Sequence, residues 1–158
     1  MRGFALVVII AALVGAPAGA GASSPIDVAG TWVVLDPGSE TCAPNGSPFV
    51  FRCTVTGFVT AYSGGLTGTS VNEFVEIINC KTGRIHGHGT ETFTGSVTGI
   101  SGTGTLTWGI HFVAALDCQT FALSDFAGTG VGNAGSGALA RLHTSLRFGD
   151  GTYEGELH

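Results

Sequence analysis

Two glutamates carry the sharpest chemical signal in this chain. Glu73 and Glu91 flank a turn at Lys81-Thr82-Gly83. A three-residue hairpin loop closed by glycine would set Cys80 opposite Arg84. Counting outward then pairs Asn79 with Ile85, Ile77 with Gly87, Val75 with Gly89 and Glu73 with Glu91. Directly opposed side chains on antiparallel strands have Cβ atoms about 5 Å apart. Two carboxylates so placed in an enclosed interior share a proton, because burial and the neighbour's charge keep one of them neutral. That is the equipment of an acid and a base for isomerising or cyclising a bound molecule. The alternative has one glutamate in solvent or paired with Arg141 or Arg147, or a register displaced by one residue, and then the chemistry is lost.

Other residue types yield less. His86-Gly87-His88 puts two imidazoles on one strand face, and Glu91 falls on the opposite face by alternation. His111 joins them only if its strand lies alongside with the same facing. A solvated outer face, with Glu76 and His88 as a cross-strand pair, accounts for these residues, and no metal or cofactor is expected. Leu106, Trp108, Ile110 and Phe112 alternate with Thr105, Thr107, Gly109 and His111, which turns the first set inward. Trp108 and Phe112, with Phe93, are the candidates for lining a ligand pocket. Ser124, Asp117, Asp125, His111 and His143 supply the residue types of a hydrolase triad, but no G-x-S-x-G elbow accompanies them. A narrow interior also offers a polysaccharide no cleft.

The elements that must position these groups are strands. Runs rich in Thr, Val, Phe and Ile punctuated by glycine place strands at residues 26–35, 50–62, 66–79, 84–95, 102–115, 119–126, 138–148 and 152–157. Residues 36–48, with Pro37, Pro44, Gly46 and Pro48, read as a long rim loop, and the glycines of 95–104 and 128–137 as turns. The expected fold is all-β: one eight-stranded antiparallel up-and-down barrel spanning residues 26–158. Such a barrel is either packed solid or holds one small ligand.

Cys42, Cys53, Cys80 and Cys118 allow three disulfide connectivities. Alternating strands bring the connections at 36–49, 80–83 and 116–118 to one rim, so Cys42–Cys53 with Cys80–Cys118 would staple it, although crossed pairings also fit. No CxxC pair suggests zinc.

Arg2, the apolar run 4–14 and small residues through Ser24 read as a signal peptide, residues 1–22, cleaved near Ala22. The apolar core is too short to span a bilayer, which takes about 20 residues. The expected mature protein is secreted and free of the membrane. The chain has 6 basic and 11 acidic residues and a net charge of −5. That scarcity of cations excludes a nucleic-acid partner and an anionic-membrane binder.

Three segments resemble a bacterial family known as domain of unknown function 3224, whose members look like the allene oxide cyclase barrel, a calycin-like architecture. They are Tyr62-Ser63-Gly64-Gly65-Leu66-Thr67-Gly68-Thr69-Ser70 with Glu73, the run from Glu91 to Gly102, and Gly135-Ser136-Gly137-Ala138-Leu139-Ala140 ending in Phe148. Arg141, Thr144 and Leu146 stand where the family pattern prefers glycine, and Trp108 stands near where it often has histidine. The resemblance implies a barrel and a bacterial origin, and no reaction. Three functions follow as expectations: a secreted barrel binding a small, largely apolar molecule; an isomerase or cyclase using the glutamate pair; or a secreted structural or interaction module with a solid core.

Overall fold

Branched and aromatic residues alternating with small polar ones build strands throughout the computed structural model, which describes residues 24–158. The expected signal peptide lies outside the described residues. In chain order the strands are β1 (Ile26–Asp36), β2 (Ser39–Ser47), β3 (Val50–Gly64), β4 (Leu66–Asn79), β5 (Arg84–Val97), β6 (Gly104–Asp117), β7 (Ala122–Gly137), β8 (Thr144–Gly149) and β9 (Thr152–Leu157). Each pairs antiparallel with its neighbours in the order β1-β9-β8-β7-β6-β5-β4-β3-β2, and β1 also pairs with β3. The sheet therefore closes into a ring. One edge of β3 is shared: its first half pairs with β2 and its second half with β1.

Three expectations need correction. The proline-rich segment taken as a loop is β2, a ninth strand, fully paired with β3 from Ser39↔Thr56 to Pro44↔Phe51. Its far side has no strand partner, and proline is tolerated on such an edge because the missing N–H is not needed there. The glycines of 128–137 lie inside β7, which continues from the segment expected to be a separate strand at 119–126. At two of them Trp108 leaves no room for a side chain: a Cβ at Gly130 would stand 2.7 Å from the indole Cδ1, and one at Gly132 would stand 2.8 Å from the Trp108 Cβ. The strand expected at 138–148 shortens to β8, and the six residues before it form a turn that drives Leu139 fully into the interior.

A bulge in β3 sets which residues face inward. Cys53 and Val55 are buried before it, and Thr60 and Tyr62 after it. The extra residue is absorbed near Gly57, whose φ of 69° belongs to the left-handed region open to glycine. At one end the ring is filled by Leu66, Val97, Leu106, Leu139 and Leu157 around Phe93, each nearly or fully buried. Trp108 and Tyr153 extend this core toward the middle. Beyond the layer of Trp108 the interior opens.

Candidate functional site

The hairpin between β4 and β5 decides the site. Its loop is Cys80-Lys81-Thr82-Gly83, four residues instead of three, because the Asn79 side-chain oxygen accepts hydrogen bonds from the amides of Lys81 (3.0 Å) and Thr82 (3.2 Å) and starts the turn one residue earlier. A one-residue slip turns a strand over. Asn79 therefore pairs with Arg84, Glu73 pairs with Thr90, and Asn72 is the residue opposite Glu91. Glu73 is exposed on the outer face, so the opposed carboxylates expected from sequence do not meet. Glu91 does point inward, at 4% exposure. By the same slip Phe74, Glu76 and Ile78 line the interior, and Glu76 is not a partner of His88 across the outer face.

Glu91 sits in a polar cage one layer thick. Its Oε1 accepts from the Tyr62 hydroxyl at 2.6 Å and the Ser70 hydroxyl at 2.5 Å, with Thr60 farther off at 3.4 Å. Its Oε2 accepts from the indole N–H of Trp108 at 3.1 Å. Thr60 and Ser70 hydrogen-bond each other, and the Asn72 amide donates to the Ser70 oxygen at 3.2 Å and to the Phe58 carbonyl at 3.3 Å. Among the described residues no buried side-chain polar atom lacks a partner. Burial raises the Glu91 pKa from the ordinary glutamate range and outweighs the hydroxyl, indole and amide donors, which favour the anion. The Tyr62 hydroxyl is raised as well, by burial first and then by Glu91. Glu91 is therefore held toward its neutral form. Its Oε1 takes the hydroxyl donors, whereas Oε2 has only Trp108, which leaves Oε2 the oxygen with room to carry a proton.

Above this cage lies a cavity of about 820 Å³. Seven phenylalanines contribute: Phe51, Phe58, Phe74, Phe112, Phe126 and Phe148 in the walls and Phe121 at the mouth. Several rings pack edge to face or stacked, as in Phe74 with Phe112 (centroids 5.3 Å) and Phe112 with Phe126 (5.7 Å). Glycine makes room for them. The Phe112 ring lies over Gly87, where a Cβ would be 2.3 Å from ring carbon. The polar floor is Glu91 with Thr60, Tyr62 and Asn72, and no lysine or arginine lines the cavity. Of the three aromatics expected to line a pocket, Phe112 does so. Phe93 and Trp108 are packed beneath the floor, where Trp108 holds Glu91.

The mouth carries both disulfides and an acidic pair. Cys42–Cys53 and Cys80–Cys118 are formed, in the pairing that staples one rim. Disulfides persist in oxidising, extracellular-type compartments. Glu76 on β4 and Glu40 on β2 both line the cavity. Burial pushes the Glu76 carboxyl up to about 7, helped by the charge of Glu40 and a hydrogen bond to it. Glu40, Cys42 and Cys53 lie close together, but both sulfurs are spent in the disulfide and cannot ligate a metal. His86 and His88 are on the outer face, outside this site, whereas the exposed His111 borders both the cavity and the outer wall.

Tyr62, Ser70, Thr60 and Asn72 were not expected at the site. Their sequence signal is polar residues two apart on adjacent strands, Thr60-x-Tyr62 and Ser70-x-Asn72, which becomes inward-facing only once the Gly57 bulge and the Asn79 turn are recognised. The arrangement defines an all-β antiparallel ring, packed at one end and hollow at the other, with one buried carboxyl between. No family model, curated protein or solved structure matches the chain.

Proposed function

We propose that this protein is a secreted β-barrel, related to the bacterial family it resembles and to the allene oxide cyclase-like architecture, that binds one small, neutral, largely apolar molecule. One observation carries the reading: a phenylalanine-walled cavity of about 820 Å³ whose floor is the buried Glu91 and whose lining holds no lysine or arginine. Ligand pockets typically measure about 300–1,000 Å³ and are apolar with a few convergent polar groups. A ligand with a carbonyl, ether or hydroxyl oxygen at its inner end can accept the acid proton of Glu91. An anionic head group would meet a carboxyl at the floor and two more at the mouth without a compensating lysine or arginine. The two disulfides and the leader-like N-terminal sequence support export, and the cavity argues against a solid-core module.

The test is displacement of a fluorescent apolar probe from the disulfide-bonded protein. A long-chain alcohol or ketone should displace it better than the carboxylate of equal length. Ala114→Phe, which projects a ring from a buried lining position, should weaken probe binding without unfolding the ring. Equal displacement by all three chain types, together with an unaffected variant, would place the probe elsewhere and remove the reading. An isomerase or cyclase remains the second reading. It now rests on Glu91 and its hydrogen-bonded Tyr62 alone, as one proton relay at the cavity floor.

A further inference from the structure

The binding role leaves the outer face of β5 and β6 unused, and three histidines gather there. His86 and His88 project outward on either side of the inward Gly87, and His111 stands on β6 directly opposite His88. All three are exposed. The His88 and His111 rings lie 23° from parallel with centroids 6.0 Å apart. Together with His86 they edge a dent of about 420 Å³ in the outer wall. The ladder beneath is regular: β5 and β6 pair without a bulge from Arg84↔Ala115 to Gly95↔Gly104. The spacing of the histidine backbones is therefore set by the sheet, not by a loop.

That spacing suits a metal ion. Zinc–imidazole bonds are about 2.0–2.1 Å, so two imidazoles on one tetrahedral ion have ring centroids about 5 Å apart. His88 and His111 reach this by closing roughly 1 Å and by turning their nearly parallel rings until one nitrogen of each faces a common point, side-chain rotations that displace only solvent. His86 starts two residues along the same face, about 6.6 Å away along the strand, and can lean over the pair. Residues paired directly with the three on neighbouring strands are Ile77, Val75, Val113 and Thr129, none of them cationic. Arg84, two residues beyond His86 at the rim, makes His86 the weakest of the three ligands, and Arg147, paired with Thr129 on β8, is the positive charge across the ladder on the side of His111.

We propose that His88 and His111, with His86 as third donor, form a surface site for a divalent late-transition-metal ion. Imidazole suits zinc, copper and nickel. Three neutral imidazoles leave a fourth position open on a tetrahedral ion, for water or a partner's side chain. His86 and His88 lie outside the cavity lining and His111 borders it from the exposed side of β6, and the test of the site does not involve the apolar ligand.

The experiment is calorimetric titration of tag-free, disulfide-bonded protein with zinc chloride, then nickel chloride, in a non-coordinating buffer. One ion per chain should bind, with a dissociation constant on the order of micromolar. His88→Asn and His111→Asn should each weaken zinc binding about tenfold or more, and His86→Asn by about threefold. Thermal melting should show these exposed variants as stable as the parent. His143 and His158 are joined by paired backbone hydrogen bonds elsewhere on the surface and form the control locus. His158→Asn should leave binding unchanged. Absence of saturable binding by millimolar zinc and nickel would overturn the proposal. So would binding that survives His88→Asn and His111→Asn but disappears in His158→Asn.

Discussion

The two ends of the ring use the same local device to opposite effect. At the packed end Phe93 lies against Gly95, where a Cβ would stand 2.6 Å from ring carbon, and at the hollow end Phe112 lies against Gly87 in the same way. In both, an aromatic ring is laid on the wall over a glycine, which is two residues along the same strand for Phe93 and directly across the ladder for Phe112. The difference is what reaches the middle. The turn at 138–143 sends Leu139 inside, where it meets Leu66, Leu106 and Leu157 and completes a close-packed core. At the other end the turns at 80–83 and 118–121 are tied to each other by Cys80–Cys118, and Phe121 is left 77% exposed at the mouth. Closing the ring therefore does not decide whether it is filled; the connections do. A wall facing a void loses dispersion contacts on one side, and both disulfides lie at that end.

The comparison breaks most sharply on paired truncations. Phe93→Ala should destabilise by about 3–5 kcal/mol, since a fully buried ring leaves a cavity its neighbours cannot close. Phe112→Ala, whose ring already borders empty space, should lose less than about 2 kcal/mol. Urea unfolding with the disulfides intact measures both, and equal losses would mean that the hollow end is packed as tightly as the other. Next come the cross-links. Cys80–Cys118 closes a separation of 38 residues and Cys42–Cys53 one of 11. Chain-entropy arithmetic gives about 4 kcal/mol for the longer loop and about 3 for the shorter. Paired Cys→Ser variants should follow that order in urea midpoint, and their losses should fall on the mouth, seen as faster amide exchange in β2 and at the ends of β6 and β7.

At the boundary between the ends, Glu91 links folding to pH. Its pKa is raised in the folded state, so the folded chain keeps a proton that the unfolded chain releases. The stability this contributes is fully present below the unfolded glutamate value of about 4.3. It is lost as pH rises from there through the folded value, by at most about 1.4 kcal/mol per pH unit. Glu91→Gln mimics the neutral acid, and the hydroxyls of Tyr62 and Ser70 can rotate to accept from its amide. The variant should show a flatter stability profile and gain on the parent as pH rises, measured by denaturant unfolding in a series of buffers. An unchanged slope would mean that Glu91 is ionised in the folded protein.

Much of this architecture was legible because alternation is a local signal. Leu106, Trp108 and Ile110 point inward as their spacing in β6 requires, and the rim assignment of the cysteines followed from strand alternation alone. What escaped depends on single residues that change the count. Asn79 lengthens the hairpin by one and turns Glu73 outward while bringing Asn72 opposite Glu91. Gly57 switches the inward face of β3 and so delivers Thr60 and Tyr62. The prolines of β2 read as a loop because edge status, which excuses them, is a property of the whole sheet. Glu91 itself was found; its partners were not, since each lies beyond one of these one-residue shifts.

The smallest effect probes the mouth. Glu76 is pushed up to about 7, first by burial and then by Glu40 across the opening. Its shift has the same sign as that of Glu91, so its stabilising contribution is present at low pH and is lost as pH rises from about 4.3 through 7. Glu40→Gln removes the like charge but leaves the burial. The Glu76 pKa should therefore fall part of the way toward the ordinary range and stay above it, as read by carbon-detected NMR of the side-chain carboxyl. Added salt should reproduce some of that fall in the parent and little more in the variant, because salt screens the exposed Glu40 charge and leaves desolvation untouched. The matching change in stability should be well under 1 kcal/mol, since the pair is partly solvated. If Glu76 titrates in the ordinary range in both proteins, water fills the mouth down to the level of Glu76, and the dry interior begins only below it, near the layer of Glu91.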